Sequence, residues 1–301
     1  VSEALVVPAA RQGPGPMPAA AVAALDLALV RRTGGRLPGS HRGIGIGPGT
    51  ELAQLRPYQV GDDVRMIDPA ASARTGVPHV RQHVPERALT SWIVVDLSPS
   101  MAFGTTARLK SDVAEGVAKV VARLGSRRGG RVGVVVAGTE RPIVLPPAGG
   151  RRALAAIDRL LARGVSPDGA RVEGLEEALR RVRGLARQPG LVVVASDLRG
   201  ADGLSRALRL LVASGQQVVV TEIVDPRELE LPDSGVLSLV DPESGRLIEV
   251  DTRSNRLRRD FAAAEASRRA ALAEQLRRAG ARHAVLRTDG DWLRDLGSCL
   301  A

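Results

Sequence analysis

Apolar residues along this chain fall into two alternating patterns from about residue 90 onward. Trp92-Ile93-Val94-Val95, Arg131 to Ala137, Leu191 to Ala195, Gln217 to Val224 and Ala284 to Arg287 are short, nearly continuous apolar runs. They are too short for helices and lack polar alternation, as expected of strands buried on both faces. Between them the apolar positions recur at helical spacing over 106–124, 150–163, 172–187, 202–214, 254–279 and 291–299. A further short strand, Pro142 to Leu145, is expected beside 131–137. Strands that alternate with helices predict an α/β fold, a doubly wound and mostly parallel sheet covered on both faces.

Two regions break the alternation. Within 225–253, Val236 to Val240 and Leu247 to Val250 flank the turn Pro242-Glu243-Ser244-Gly245, the pattern of an inserted β-hairpin. Before residue 89 the chain reads as a loose Pro/Gly/Ala tail over 1–17, then a segment 18–88. That segment opens with a helix, Pro18 to Arg32, ended by Gly34-Gly35, and continues through Gly-rich residues 35–50. Residues 51–88 hold turn signals and a strand, Val77 to Val84. The hairpin is expected to pack with 40–88 as a small β-rich subdomain beside the main domain, 89–301.

Composition narrows this picture. Hydrophobic residues make up 44% and aromatics 2% of the 301 residues, so the core must be built from Val, Leu, Ile and Ala. The single cysteine, Cys299, excludes an internal disulfide and points to a reducing compartment. With no long apolar span and no signal-peptide pattern, a soluble cytoplasmic protein is expected. The net charge of +10 admits nucleic acid as a partner. The arginines, however, are spread along helices among acids, as on solvated faces.

The candidate chemistry lies at strand ends. Asp96-Leu97-Ser98-Pro99-Ser100 follows the first strand of the regular part, and Ser196-Asp197 ends another. Ligands of open α/β sheets bind beyond the C-terminal ends of the strands, where strand order reverses. Alternate residues of an extended loop point the same way, so Asp96, Ser98 and Ser100 can converge. Asp197 can join them directly or through water. An all-oxygen set suits Mg²⁺, or Mn²⁺ in its place. Few carboxylates leave the metal under-neutralised, so an acidic group of a protein partner can take an open position.

These features resemble the von Willebrand factor type A fold, whose metal-ion-dependent adhesion site begins D-x-S-x-S at the end of its first strand. A narrower resemblance rests on three groups of residues. They are Gly47 to Glu51; Leu55 through Asp68, with Ala71 to Arg74; and Leu231 to Gly235, with Asp241 to Gly245. Together they are similar to the signature of family fifty-eight of the bacterial domains of unknown function, over about residues 20–300. The resemblance implies a non-enzymatic adaptor or co-chaperone of a MoxR-type AAA+ ATPase. Three departures stand out. Pro69 occupies the place of a usual Trp. The Thr that type A domains bring from a middle loop is missing, leaving Ser166, Asp168 or Glu173 as substitutes. The membrane-spanning segments that many members carry are not seen. The missing Thr keeps open a scaffold with a degenerate metal site that binds through the β-rich subdomain.

Other constellations carry less. The glycines between Gly43 and Gly49 lack the Gly-Lys-Ser/Thr ending of a phosphate loop. His79 and His83 are four apart on a strand, roughly 13 Å, too far to share a metal. Ser98 and Ser100 have no nearby base in sequence, since His283 comes only in the last strand, and no enzyme is expected. The charges Arg56, Asp62, Asp63, Arg65, Asp68 and Arg74 read as an ion-pair network that fixes irregular backbone.

Overall fold

The computed structural model describes residues 51–84, 90–106, 108–200 and 203–300; the expected tail, first helix and Gly-rich segment lie outside them. The described chain forms two units, divided between residues 88 and 89.

In the smaller unit, strand β1 (Glu51–Pro57) pairs antiparallel with β2 (His79–Val84). Between them lies helix α1 (Pro69–Thr75), which sequence periodicity did not predict. Its signals are short and local: the Asp68 carboxylate accepts the Ala71 N–H at 2.8 Å, and Pro69 takes the first turn. That position suits Pro, whose missing N–H costs the helix nothing there. The expected ion pairs form in part, with Arg56 gripping Asp62 through two 2.7 Å hydrogen bonds and Arg81 reaching Asp68 at 2.7 Å. His79 bonds to Thr75 Oγ1 and Val77 O, a local structural role on its strand.

The larger unit is built on a six-stranded sheet. Its strands are β3 (Thr90–Asp96), β4 (Arg131–Ala137), β5 (Ile143–Ala148), β6 (Leu191–Ser196), β7 (Gln217–Val224) and, after a hairpin, β10 (Arg282–Arg287). The spatial order is β10-β7-β6-β3-β4-β5, and only the β4–β5 pair is antiparallel. This is the expected doubly wound, mostly parallel sheet. Strand order reverses between β3 and β6.

The buried runs explain themselves by layer. Ile93, Val95, Val134, Val136 and Val193 face one side, against helices α2 (Lys110–Gly125), α3 (Gly150–Leu161) and, at the end of the chain, α8 (Trp292–Leu300). Trp92, Val94, Val135, Val192 and Val194 face the other. There they meet α4 (Leu175–Leu185), α5 (Leu204–Ala213) and the long α7 (Asn255–Arg278), which follows the four-residue helix α6 (Pro226–Leu229). Alternate residues of each strand thus serve opposite helical layers, which is why the runs are nearly continuous in apolar residues.

Two expectations are corrected. The helix predicted from Thr106 begins at Lys110. The Thr105 N–H and hydroxyl both donate to the Asp225 carboxylate, at 2.9 and 2.6 Å, and hold the chain as a loop before it. The hairpin, β8 (Val236–Val240) with β9 (Leu247–Asp251), groups with the larger unit and not with 40–88. It is tied there at its tip, by the Gly169 N–H to Pro242 O at 2.9 Å, and at its base, by Arg258 to Asp233. Among the described residues no helix is long and apolar enough to cross a membrane.

Close packing between α2 and α8 depends on one missing side chain. A Cβ on Gly116 would lie 2.5 and 2.6 Å from the buried ring of Trp292. Gly116→Ala should therefore destabilise the fold by about 1–3 kcal/mol through overpacking, despite its better helix propensity. A urea unfolding midpoint equal to or above that of wild type would contradict this packing.

Candidate functional site

The register of the sheet decides what stands beside Asp96. Val95 is level with Ala195 on β6 and Asp96 with Ala137 on β4. Ser196 therefore becomes the neighbour of Asp96, and its hydroxyl donates to Asp96 Oδ2 at 2.6 Å. The Ser98 N–H folds back to Asp96 Oδ1 at 2.9 Å, turning the chain sharply out of the strand. Ser98 and Ser100 bring their hydroxyl oxygens within 3.2 Å of each other. Asp197, one residue beyond β6, lies close enough to Asp96 to repel it, and the Ser100 side chain helps to hold it ionised. The four residues singled out by sequence, Asp96, Ser98, Ser100 and Asp197, thus gather at the switch point, and all four are buried.

The walls are shaped to admit this loop. Gly138, after β4, has φ +74°, and a Cβ there would sit 2.2 Å from Ser98 N and 2.7 Å from Asp96 Oδ1. Only glycine lets the two chains approach so closely. Of the three substitutes for the missing Thr, Ser166 is buried against the loop; its N–H donates to Leu97 O and its hydroxyl to Gly138 O. Asp168 and Glu173 are exposed. Leu198, next to Asp197, has φ 57°, a left-handed conformation costing roughly 1–2 kcal/mol outside glycine. It turns the backbone so that the Arg199 N–H meets Asp197 Oδ1 at 3.1 Å.

Sequence reasoning missed a buried cation. Lys110 is fully buried, and its ammonium donates to Asp197 Oδ2 at 2.6 Å and Glu228 Oε1 at 2.7 Å. It is the first residue of α2, where the helix dipole disfavours positive charge. Ion pairing therefore explains its position and helix formation does not. One signal was available: Lys110 is one of two lysines in a chain otherwise made basic by arginine. Ser196, Glu228 and Gly138 gave no such signal, because each is defined by strand register or by a distant turn.

The two aspartates differ in charge balance. Burial raises the pKa of Asp96, the charge of Asp197 raises it further, and hydrogen bonds from Ser196 and Ser98 only partly oppose this. Burial also acts upward on Asp197, but the charge and hydrogen bond of Lys110 outweigh it and hold the group below the usual aspartate range. Lys110 is likewise penalised by burial, yet Asp197 and Glu228 keep its pKa raised. Glu243, from the hairpin turn, accepts the Ser100 N–H at 3.3 Å. Its burial, then the charges of Asp96 and Asp197, push its pKa up against that hydrogen bond.

These residues fit a hard divalent cation. Among the described residues no three His, Cys, Asp or Glu side chains gather closely enough to hold an ion alone, so the hydroxyls must contribute. Adjacent ligands in an octahedral shell of about 2.1 Å radius lie about 3 Å apart. The 3.2 Å between the two serine hydroxyls matches that spacing. Asp96 is a buried carboxylate whose hydrogen-bond partners are all neutral, a costly state that a cation relieves.

Comparison with known proteins places these features in context. The family described as "Protein of unknown function DUF58" matches residues 54–271. An uncharacterized protein of Mycobacterium tuberculosis H37Rv is 40% identical over 282 residues, covering 93% of this chain and 88% of that protein. Among solved structures, an aerotolerance-related membrane protein from Bacteroides fragilis is 19% identical, with a TM-score of 0.42 over 59% of this chain and 87% of its own. The SpRpn10 VWA domain is 12% identical, with a TM-score of 0.37 over 70% and 94%.

Replacing Lys110 by Met keeps the apolar stem and deletes the charge. The buried Asp197 loses its cation, while the half-buried Glu228 keeps Arg199, and a loss of about 3–5 kcal/mol is expected at neutral pH, read from urea unfolding in chelator. With its folded pKa below the ordinary 3.8, Asp197 stabilises the fold above that value, and the contribution is lost as pH falls through the folded one. In Lys110→Met, burial acts on Asp197 without its counterweight and raises its pKa. The deficit against wild type should then shrink as pH is lowered towards about 4. A deficit that widens on acidification would count against the pairing.

Proposed function

Because the chain belongs to the DUF58 family, we propose that it is a protein-interaction module whose contact point is a Mg²⁺ or Mn²⁺ ion. Asp96, Ser98 and Ser100 would hold the ion, with Asp197 acting directly or through water. The observation that carries this reading is Asp96, a buried carboxylate with neutral hydrogen-bond partners and a second carboxylate beside it. Such a pair attracts a divalent cation. The bound ion supplies an open position for an acidic group of a partner protein. Around it the chain orients and does not react: Ser196 fixes one oxygen of Asp96, the Ser98 N–H fixes the other, and Lys110 fixes Asp197. The hydrogen bonds of Ser98 and Ser100 involve no histidine, which supports a recognition role over hydrolysis. We place the protein in the cytoplasm, as an adaptor or co-chaperone of a MoxR-type AAA+ ATPase.

Lys110 favours a second reading, in which its ammonium already serves where a metal ion would, and the protein is a scaffold without metal dependence. The basic charge gives less support to nucleic acid. Arg268, Arg269, Arg277 and Arg278, on the long helix α7, are each paired with Glu222, Glu265 or Glu274.

Calorimetric titration with Mg²⁺ and Mn²⁺ separates the two readings. The metal reading expects saturable binding that weakens by a factor of ten or more (about 1.4 kcal/mol or more) in Asp96→Ala. It also expects capture of the ATPase to be lost in chelator. No binding, or binding and capture indifferent to Asp96→Ala, would leave the scaffold reading in its place.

A further inference from the structure

The tip of the β8–β9 hairpin brings a carboxylate to the site from a part of the chain that the metal reading does not require. Glu243 lies 143 positions from Ser100 in sequence, yet its Oε1 accepts the Ser100 N–H. The turn that presents it is tightly built. The Asp241 carboxylate accepts the Glu243 N–H at 3.1 Å and the Ser244 hydroxyl. The Gly245 N–H closes onto Asp241 O at 2.7 Å, and the Asp241 N–H donates to Arg246 O at 2.9 Å. A second contact seats the same turn, since the Gly169 N–H donates to Pro242 O beside the buried Ser166 wall. Two independent hydrogen bonds thus fix the tip over the loop that carries Asp96, Ser98 and Ser100.

The electrostatics of this arrangement are incomplete. Glu243 faces two other carboxylates, Asp96 and Asp197, and receives one long 3.3 Å hydrogen bond in return. Like charges so placed repel. Lys110 offsets only the Asp197 share of this, because its hydrogen bonds go to Asp197 and Glu228 and none to Asp96 or Glu243. A divalent cation held by Asp96, Ser98 and Ser100 would turn the repulsion between Asp96 and Glu243 into a shared attraction. Glu243 sits at the tip of an exposed hairpin, so the contact can be released without opening the core.

We propose that Glu243 is an in-chain carboxylate ligand of the site, so that a bound cation latches the hairpin tip over Asp96, Ser98 and Ser100 and a partner's acid must displace it. This inference rests on the cation reading given above. It makes the hairpin the moving part of the site. An acid tethered in the same chain competes at a high effective concentration, so only a partner with further contacts, or several acids, would displace it.

Hydrogen–deuterium exchange on the full chain tests the latch, with peptides covering 236–251 followed in chelator, in Mg²⁺, and in Mg²⁺ with acetate as the carboxylate probe. Mg²⁺ should slow exchange of the hairpin about tenfold in wild type, and acetate, a single acid with no further contacts, should leave that slowing in place. Glu249→Gln, on the same hairpin but away from the tip, should behave as wild type. Glu243→Gln should show no slowing while still binding Mg²⁺ by calorimetry. If Mg²⁺ binds wild type but leaves hairpin exchange unchanged, or slows it equally in Glu243→Gln, the latch is overturned and the cation site stands. If wild type binds no Mg²⁺, both readings fall together.

Discussion

Two carboxylates buried side by side at the ends of neighbouring parallel strands must be neutralised, and much of the larger unit is arranged around that need. Asp96 and Asp197 are placed together by the reversal of strand order between β3 and β6. Lys110 answers half of the problem from the first turn of α2, and that position pins the start of the helix, which also packs against the sheet. Glu228, on the short helix α6, shares the same ammonium and ties the segment after β7 to the site. The other half of the charge has no counterpart among the hydrogen-bond partners of Asp96. The difference between these two aspartates is the physical basis for expecting a cation.

The sheet was legible in the sequence because a strand buried on both faces writes an unbroken apolar run. Val192-Val193-Val194 is such a run, and its three residues serve two helical layers alternately. The strand ends were legible for the same reason, since the first polar residue after such a run marks where it emerges. Asp96 follows that rule on β3 and Ser196 on β6, with Asp197 one residue further on. The start of α2 was not legible. The spacing from Thr106 onward is helix-compatible, and a distant carboxylate, Asp225, holds the neighbouring Thr105 in place before the helix. Lys110 and Glu243 share this character, because their roles depend on partners more than 80 positions away. Helix α1 failed in the opposite direction: its signals are local and clear, but one Asp-Pro start and seven residues are too short to show periodicity.

The hairpin shows how an insertion acquires a role. Its two strands bury little and expose Val236, Val240, Leu247 and Ile248. Polar contacts at its two ends bind it to the larger unit. A segment held in that way can respond to charge at its tip without disturbing the apolar layers beneath the sheet.

Gly138 gives this site a criterion independent of the motif itself. Asp96, Ser98 and Ser100 could persist in a related chain as an unused remnant. A side chain in place of Gly138 could not coexist with the same loop, because its first carbon would occupy the space of Ser98 N and Asp96 Oδ1. The shape of the loop can therefore be judged in any relative from a single position outside it, by the presence or absence of one atom.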